Sequence, residues 1–107
     1  MARKAKSKWN RVHYFARKKS TKHKVGHPVY VYARRGKNRK YLTFTHKPEK
    51  GKENDYEQLL HNIDVDDTGD CYVKKQYSFS HENTLRPPDK TYRIHDDDKA
   101  RVNKYKK

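Results

Sequence analysis

A chain of 107 residues with 28 Lys and Arg against 13 Asp and Glu, a net charge of +15, has room for one domain and a small core. Only 31% of the residues are hydrophobic and the mean hydropathy is -1.52, so no stretch is apolar enough for a signal-peptide core or a membrane span, and a cytoplasmic protein is expected. The lone Cys71 excludes an internal disulfide, and the Cys and His spacing matches no structural zinc pattern, so neither metal nor cofactor is expected.

The charge is one-sided. Residues 1–40 hold 15 basic residues and no acidic one, whereas all 13 acids share residues 41–107 with the remaining 13 bases. The bases fall in three patches: Lys4, Lys6, Lys8 and Arg11 with Arg3; then Arg17, Lys18 and Lys19 with Lys22 and Lys24; then Arg34, Arg35, Lys37, Arg39 and Lys40. Like charges this dense repel until a polyanion neutralises them, and each phosphate contact releases condensed counterions. Trp9, Tyr14 and Phe15 stand among the first two patches, where aromatic faces stack on unpaired bases. Nucleic acid, RNA ahead of DNA, is therefore the expected partner. An acidic protein surface and a merely solubilising tail are the competing readings.

In chain order, residues 1–24 lack a sustained apolar period and read as a basic, partly flexible N-terminal arm with one short strand or turn at Val12-His13-Tyr14-Phe15. Residues 25–107 read as a single small β-rich domain. After Gly26 and Pro28, the β-favouring run Val29-Tyr30-Val31-Tyr32-Ala33 and its partner Tyr41-Leu42-Thr43-Phe44-Thr45 flank Gly36 and Asn38, which predicts a hairpin with a basic tip. Such a tip suits a groove or a nucleic-acid backbone, and equally suits a solubilised sheet edge.

Lys47 to Asn54 reads as a loop and Tyr56 to Ile63 as a further strand. The acidic run Asp64 to Asp70 reads as a polar turn, because its fifth position as a calcium loop is Thr68 and its twelfth falls on Lys75. Cys71 to Ser80 alternates, with Cys71, Val73, Tyr77 and Phe79 on one face of a half-buried strand. Arg86-Pro87-Pro88-Asp89 breaks the chain, Thr91 to Ile94 is extended, and Asp96 opens a final helix whose first-turn acids and last-turn lysines complement its dipole.

The order of these segments over residues 25–105 resembles that of the PemK and MazF toxins, small β-barrels that cleave RNA. His27-Pro28-Val29-Tyr30-Val31 is similar to that family's basic residue, proline and apolar strand. Tyr41 to Thr45 is similar to its strand ending in threonine, Tyr72-Val73-Lys74-Lys75-Gln76-Tyr77 to its valine-rich strand with a glutamine, and Ile94 to Lys99 to the opening of its last helix. The family's arginine before the proline is His27 here, and a basic arm replaces its glycine-led first strand.

The resemblance implies a mainly β protein with a C-terminal α-helix (α+β), as a small antiparallel sheet or an SH3-like or PemK-like barrel. It also implies an endoribonuclease of a toxin–antitoxin pair, or a decayed relative, in which the RNA's own 2′-hydroxyl attacks to leave a cyclic phosphate. Thr45 then matches the family's threonine. His27 or the adjacent His46 would move protons, and Arg34, Arg35 or Arg39 would steady the phosphorane charge. Two non-catalytic readings compete: a phage or mobile-element inhibitor or adaptor of a nucleic-acid-handling enzyme, and a ribosome-associated basic protein. The oligomeric state, a homodimer included, is open.

Overall fold

A computed structural model describes residues 15–18, 27–88 and 91–107. The protein is mainly β, with a seven-stranded antiparallel sheet and one short C-terminal helix. Its centre is the expected hairpin. β2 (Pro28–Arg35) and β3 (Asn38–Thr45) pair from Val29↔Thr43 to Arg35↔Asn38. The two-residue turn between them puts Gly36 at φ 60° while Lys37 keeps a negative φ, the type II′ geometry that matches strand twist and needs glycine first. Tyr32 is the extra residue of a bulge between Val31 and Ala33, which strengthens the local twist.

On one side of this hairpin β1 (Phe15–Lys18) pairs with β2, and β7 (Leu85–Arg86) pairs with β1. β1 lies inside the segment expected as an arm, so the folded body takes in residues 15–18. On the other side, β5 (Tyr72–Lys74) pairs with the end of β3 and β6 (Ser78–His81) with its start. These two are the single strand expected over Cys71–Ser80, interrupted once. From Tyr41 to Phe44 β3 advances three residues while its partner runs five, from Ser78 back to Val73. The two extra residues are accommodated around Lys75–Tyr77, and an even insertion preserves which side chains share a face. β4 (Tyr56–Gln58) completes the sheet beside β5.

Along the path β7-β1-β2-β3-β6 the outermost strands are consecutive in the chain, joined by the 3-10 turn Glu82–Thr84. Strands spaced at about 4.8 Å would hold them about 19 Å apart in a flat sheet, whereas the four residues from His81 to Leu85 reach at most about 14 Å. The sheet therefore curls. Ala16, Val29, Val31 and Tyr41 pack with Leu85 inside the curl, across four successive strands.

The outer face carries the larger cluster. Phe15, Tyr30, Leu42, Phe44 and Val73 from the sheet pack with Leu59, Ile63, Cys71, Tyr92, Ile94 and Val102. Phe15 sits 5.4 Å from the Tyr30 ring and 5.8 Å from Phe44, tilted contacts worth about 0.5–1.5 kcal/mol each beyond their area. Burying both faces of β1–β3 is how so polar a chain assembles a core.

The strand expected over Tyr56–Ile63 stops at Gln58. Beyond it the backbone N–H groups of Leu60 and His61 donate to the carboxylate of Asp98 at 2.8 and 2.9 Å rather than to a neighbouring strand. Leu59 and Ile63 still reach the core. The expected extended stretch at Thr91–Ile94 makes an isolated bridge, Asp64↔Tyr92. The final helix starts at Asp96 as a 3-10 turn, Asp96–Asp98, and continues as α1 (Lys99–Asn103). No helix among the described residues is long and apolar enough to cross a membrane.

Candidate nucleic-acid interface

The type II′ turn aims the basic tip of the β2–β3 hairpin outward, and its five bases divide into two groups. Arg34, Arg35 and Lys37 are exposed and make no ion pair among the described residues. Arg39 is held: one guanidinium nitrogen donates to the carbonyls of Gly36 and Asn38 at 3.0 Å, and the other meets Glu82 at 2.6 Å. Arg34 and Arg39 are directly opposed in the ladder, a pairing that like charges disfavour. Glu82 offsets that repulsion. Lys40 is held as well, donating to the Lys107 carbonyl at 3.0 Å and lying 5.0 Å from the Tyr77 ring centre.

The earlier patches fare differently. Arg17 is buried on β1 and donates to the Tyr92 hydroxyl, so it ties β1 to the C-terminal segment and does not face a ligand. Phe15, expected to stack on bases, is a core residue at 5% exposure. Lys18 is exposed and lies over the Tyr41 ring at 5.8 Å. Lys4, Lys6, Lys8, Trp9, Arg11 and Lys19 lie outside the described residues, as do Val12, His13 and Tyr14 of the expected short strand.

Two of the three proposed acid-base residues lie at the open end of the hairpin. His27 immediately precedes β2 and Thr45 ends β3, each two residues beyond the last paired positions of the hairpin, Val29↔Thr43, and Thr45 itself pairs with Tyr72 of β5. His27 is exposed and its carbonyl accepts the Lys18 N–H at 3.1 Å. The Thr45 hydroxyl donates to the Lys47 carbonyl at 3.1 Å. His46 is exposed and turns to the acidic loop, its Nδ1 3.9 Å from Asp67. Arg34, Arg35 and Arg39 are not brought to this group. They sit at the far end of β2 and β3, about 20 Å away at the usual strand rise, so they cannot steady charge on a phosphate held by His27 and Thr45.

A second constellation escaped the sequence reading. His61 follows β4, and His95 and Asp97 flank the start of the 3-10 turn. Their rings and carboxylate converge, with His61 Nε2 3.0 Å and His95 Nδ1 3.5 Å from the same Asp97 oxygen. The imidazoles stack with centres 3.7 Å apart. His61 and His95 also line a cavity of 640 Å³ whose wall includes Asp64, Asp67, Asp70 and Asp96. Two of those acids brace local turns, Asp64 accepting the Asp66 N–H at 3.0 Å and Asp67 the Gly69 N–H at 2.7 Å, while Asp70 accepts from Gln58 and Asp96 pairs with Lys99. Thirty-four residues separate the two histidines, and only the His-x-Asp spacing of 95 and 97 hints at the cluster.

No family model, curated protein or solved structure matches the chain. What the fold and site define is a class: a small, curled antiparallel sheet that presents a basic hairpin.

Proposed function

We propose that this protein binds nucleic acid in the cytoplasm, RNA ahead of DNA, with the basic hairpin tip as its folded contact and the basic residues N-terminal to β1 adding affinity. The observation that carries the reading is the trio Arg34, Arg35 and Lys37. Three cations fall within four positions at the end of β2 and on the two-residue turn, exposed, and without a carboxylate to neutralise them among the described residues. Glu82, the one acid at the tip among the described residues, is spent on Arg39. The absence of any acid from residues 1–40 extends the same field along the sequence.

The test is a salt titration of binding to single-stranded RNA, duplex DNA and a non-nucleic polyanion. Affinity that falls steeply with salt and drops in an Arg34→Ala, Arg35→Ala, Lys37→Ala variant supports the reading. Salt-independent affinity, or none, removes it. Capture of a stable protein partner with no affinity for either nucleic acid would instead favour the inhibitor or adaptor reading.

One observation favours the finer reading of RNA cleavage by a PemK- or MazF-like barrel: His27 and Thr45 both stand at the open end of the hairpin, each two residues beyond the Val29↔Thr43 pair. In that reaction the ribose 2′-hydroxyl attacks its own 3′-phosphate, and a proton leaves the nucleophile and another joins the departing 5′-oxygen. Long single-stranded RNA incubated with the protein should show discrete cuts that vanish in both His27→Ala and Thr45→Ala. Binding without cuts leaves the protein a non-catalytic module.

A further inference from the structure

We infer that His61, His95 and Asp97 form a site for a divalent transition metal of the zinc class, carried by the segment after β4 and the C-terminal 3-10 turn rather than by the basic hairpin, and independent of the nucleic-acid reading. Two imidazole nitrogens and one carboxylate oxygen are the donors that three-ligand zinc sites use, and imidazole selects such ions over magnesium and calcium.

The distances already approach a coordination polyhedron. Ligand atoms about 2.05 Å from a tetrahedral ion lie about 3.3 Å from one another. Here His61 Nε2 and His95 Nδ1 stand 3.0 and 3.5 Å from the shared Asp97 oxygen, and all three ligand atoms fall within 4.8 Å. Both histidines converge on one carboxylate oxygen, and a cation would sit between these three donor atoms.

The scaffold beneath is built to hold this arrangement. Asp98, adjacent to Asp97 and fully buried, accepts the backbone N–H of His61 at 2.9 Å. The segment that carries His61 is thereby pinned to the turn that carries Asp97, and the three ligands ride on two tied elements rather than on independent loops. The fourth position of the ion is open to water or a ligand from the adjoining 640 Å³ cavity. The cavity's four aspartates outnumber its one arginine, Arg93, and so give the cavity a negative field on a protein of net charge +15, which favours cations there.

Binding requires two local adjustments. Imidazole centres on one tetrahedral ion are about 5 Å apart, against 3.7 Å in the stack, so the exposed rings turn apart. His95 Nδ1 also accepts the Asp97 N–H at 3.1 Å, and that hydrogen bond passes to water when the metal takes the lone pair.

Titration of the full-length protein with Co²⁺ tests the assignment. One equivalent should develop the visible absorption of a four-coordinate ion, and Zn²⁺ should displace it. His61→Ala removes one ligand and leaves the backbone bond to Asp98. His95→Asn removes the other imidazole and keeps a side-chain oxygen to accept the Asp97 N–H. Loss of an outer-shell partner alone weakens such sites about 10–100-fold, so each variant should weaken binding at least that much. His81→Asn, outside the cluster and the cavity and able to keep the cap on Asn83 N–H, should bind as the parent does. Absence of Co²⁺ and Zn²⁺ uptake by the parent protein would overturn the assignment, as would variants that bind unchanged, or equal uptake of Ca²⁺ at the same residues.

Discussion

Asp98 and His61 are joined by a hydrogen bond of 2.9 Å from the backbone N–H of His61 to one oxygen of the Asp98 carboxylate, while the other oxygen accepts Leu60 N–H at 2.8 Å. Asp98 is wholly buried and also meets Arg101 at 3.3 Å. One side chain thus ends β4's ladder, anchors the C-terminal helix and positions His61. Asp98→Asn replaces one acceptor with an NH₂ group that faces an N–H, leaving a buried donor unmet at about 1–3 kcal/mol. Asp98→Ala orphans both donors and should cost more. Urea unfolding reads the difference, and an unchanged midpoint in both variants would refute the role given to Asp98.

Glu57 on β4 provides a second anchor for the helix. It accepts from the Tyr105 hydroxyl, meets Lys104 at 2.9 Å and lies 3.4 Å from Arg101. Burial pushes its carboxyl up, but the hydrogen bonds from Tyr105 and Lys104 and the charges of Lys104 and Arg101 outweigh it and hold the group below the usual carboxylate range. A lowered folded-state value means that the contribution is present above the unfolded pKa and is lost as pH falls through the folded one. Acidification through that range should loosen the 99–107 segment. Glu57→Gln should cost about 0.5–1 kcal/mol at neutral pH and flatten the acid limb of the stability curve. An acid limb that keeps its slope in Glu57→Gln would assign it to other carboxylates.

The hairpin was legible because local and global signals agree there. β-branched and aromatic residues run on both sides of Gly36, the one residue suited to the first position of a type II′ turn. The face shared by Cys71, Val73, Tyr77 and Phe79 was also legible, since an even insertion keeps alternation intact. What alternation could not report is that no described residue covers the far end of that face, where Phe79 is 46% exposed. The burial of Arg17 and Phe15 was hidden because composition marks a basic segment as solvent-facing. Their partners, Tyr92 for one and Tyr30 with Phe44 for the other, come from distant parts of the chain. The histidine cluster was hidden for the same reason, because a carboxylate at position 98 sets where residue 61 lies.

Cys71 should be chemically quiet in the folded protein. Burial, joined by the negative charges of Asp98 and Asp67, pushes its thiol up from 9.0 to about 11. Only the thiolate reacts, so at pH 8 a shift of this size makes native Cys71 about a hundredfold slower toward a disulfide reagent than the unfolded chain. Because the folded value lies above the unfolded one, this group's contribution is complete below pH 9 and is lost as pH rises toward 11. Kinetics of thiol labelling in buffer and in denaturant check both parts. Equal rates in the two conditions would mean that Cys71 is not shielded.

The division of the hairpin tip yields the prediction that separates binding from architecture. If Arg34, Arg35 and Lys37 meet phosphates, each alanine variant should make the log–log salt dependence of single-stranded RNA binding shallower by about 0.7, and all three together by about 2. Their stability should be unchanged, since none of the three side chains makes a hydrogen bond or ion pair among the described residues. Arg39→Ala should behave in the opposite way. It frees Glu82 and the Gly36 carbonyl, which costs about 0.5–1 kcal/mol of stability while leaving the salt slope near that of the parent. A slope that falls as much in Arg39→Ala as in the outer three would show that the ion pair opens on binding, and that the whole tip acts as one electrostatic patch.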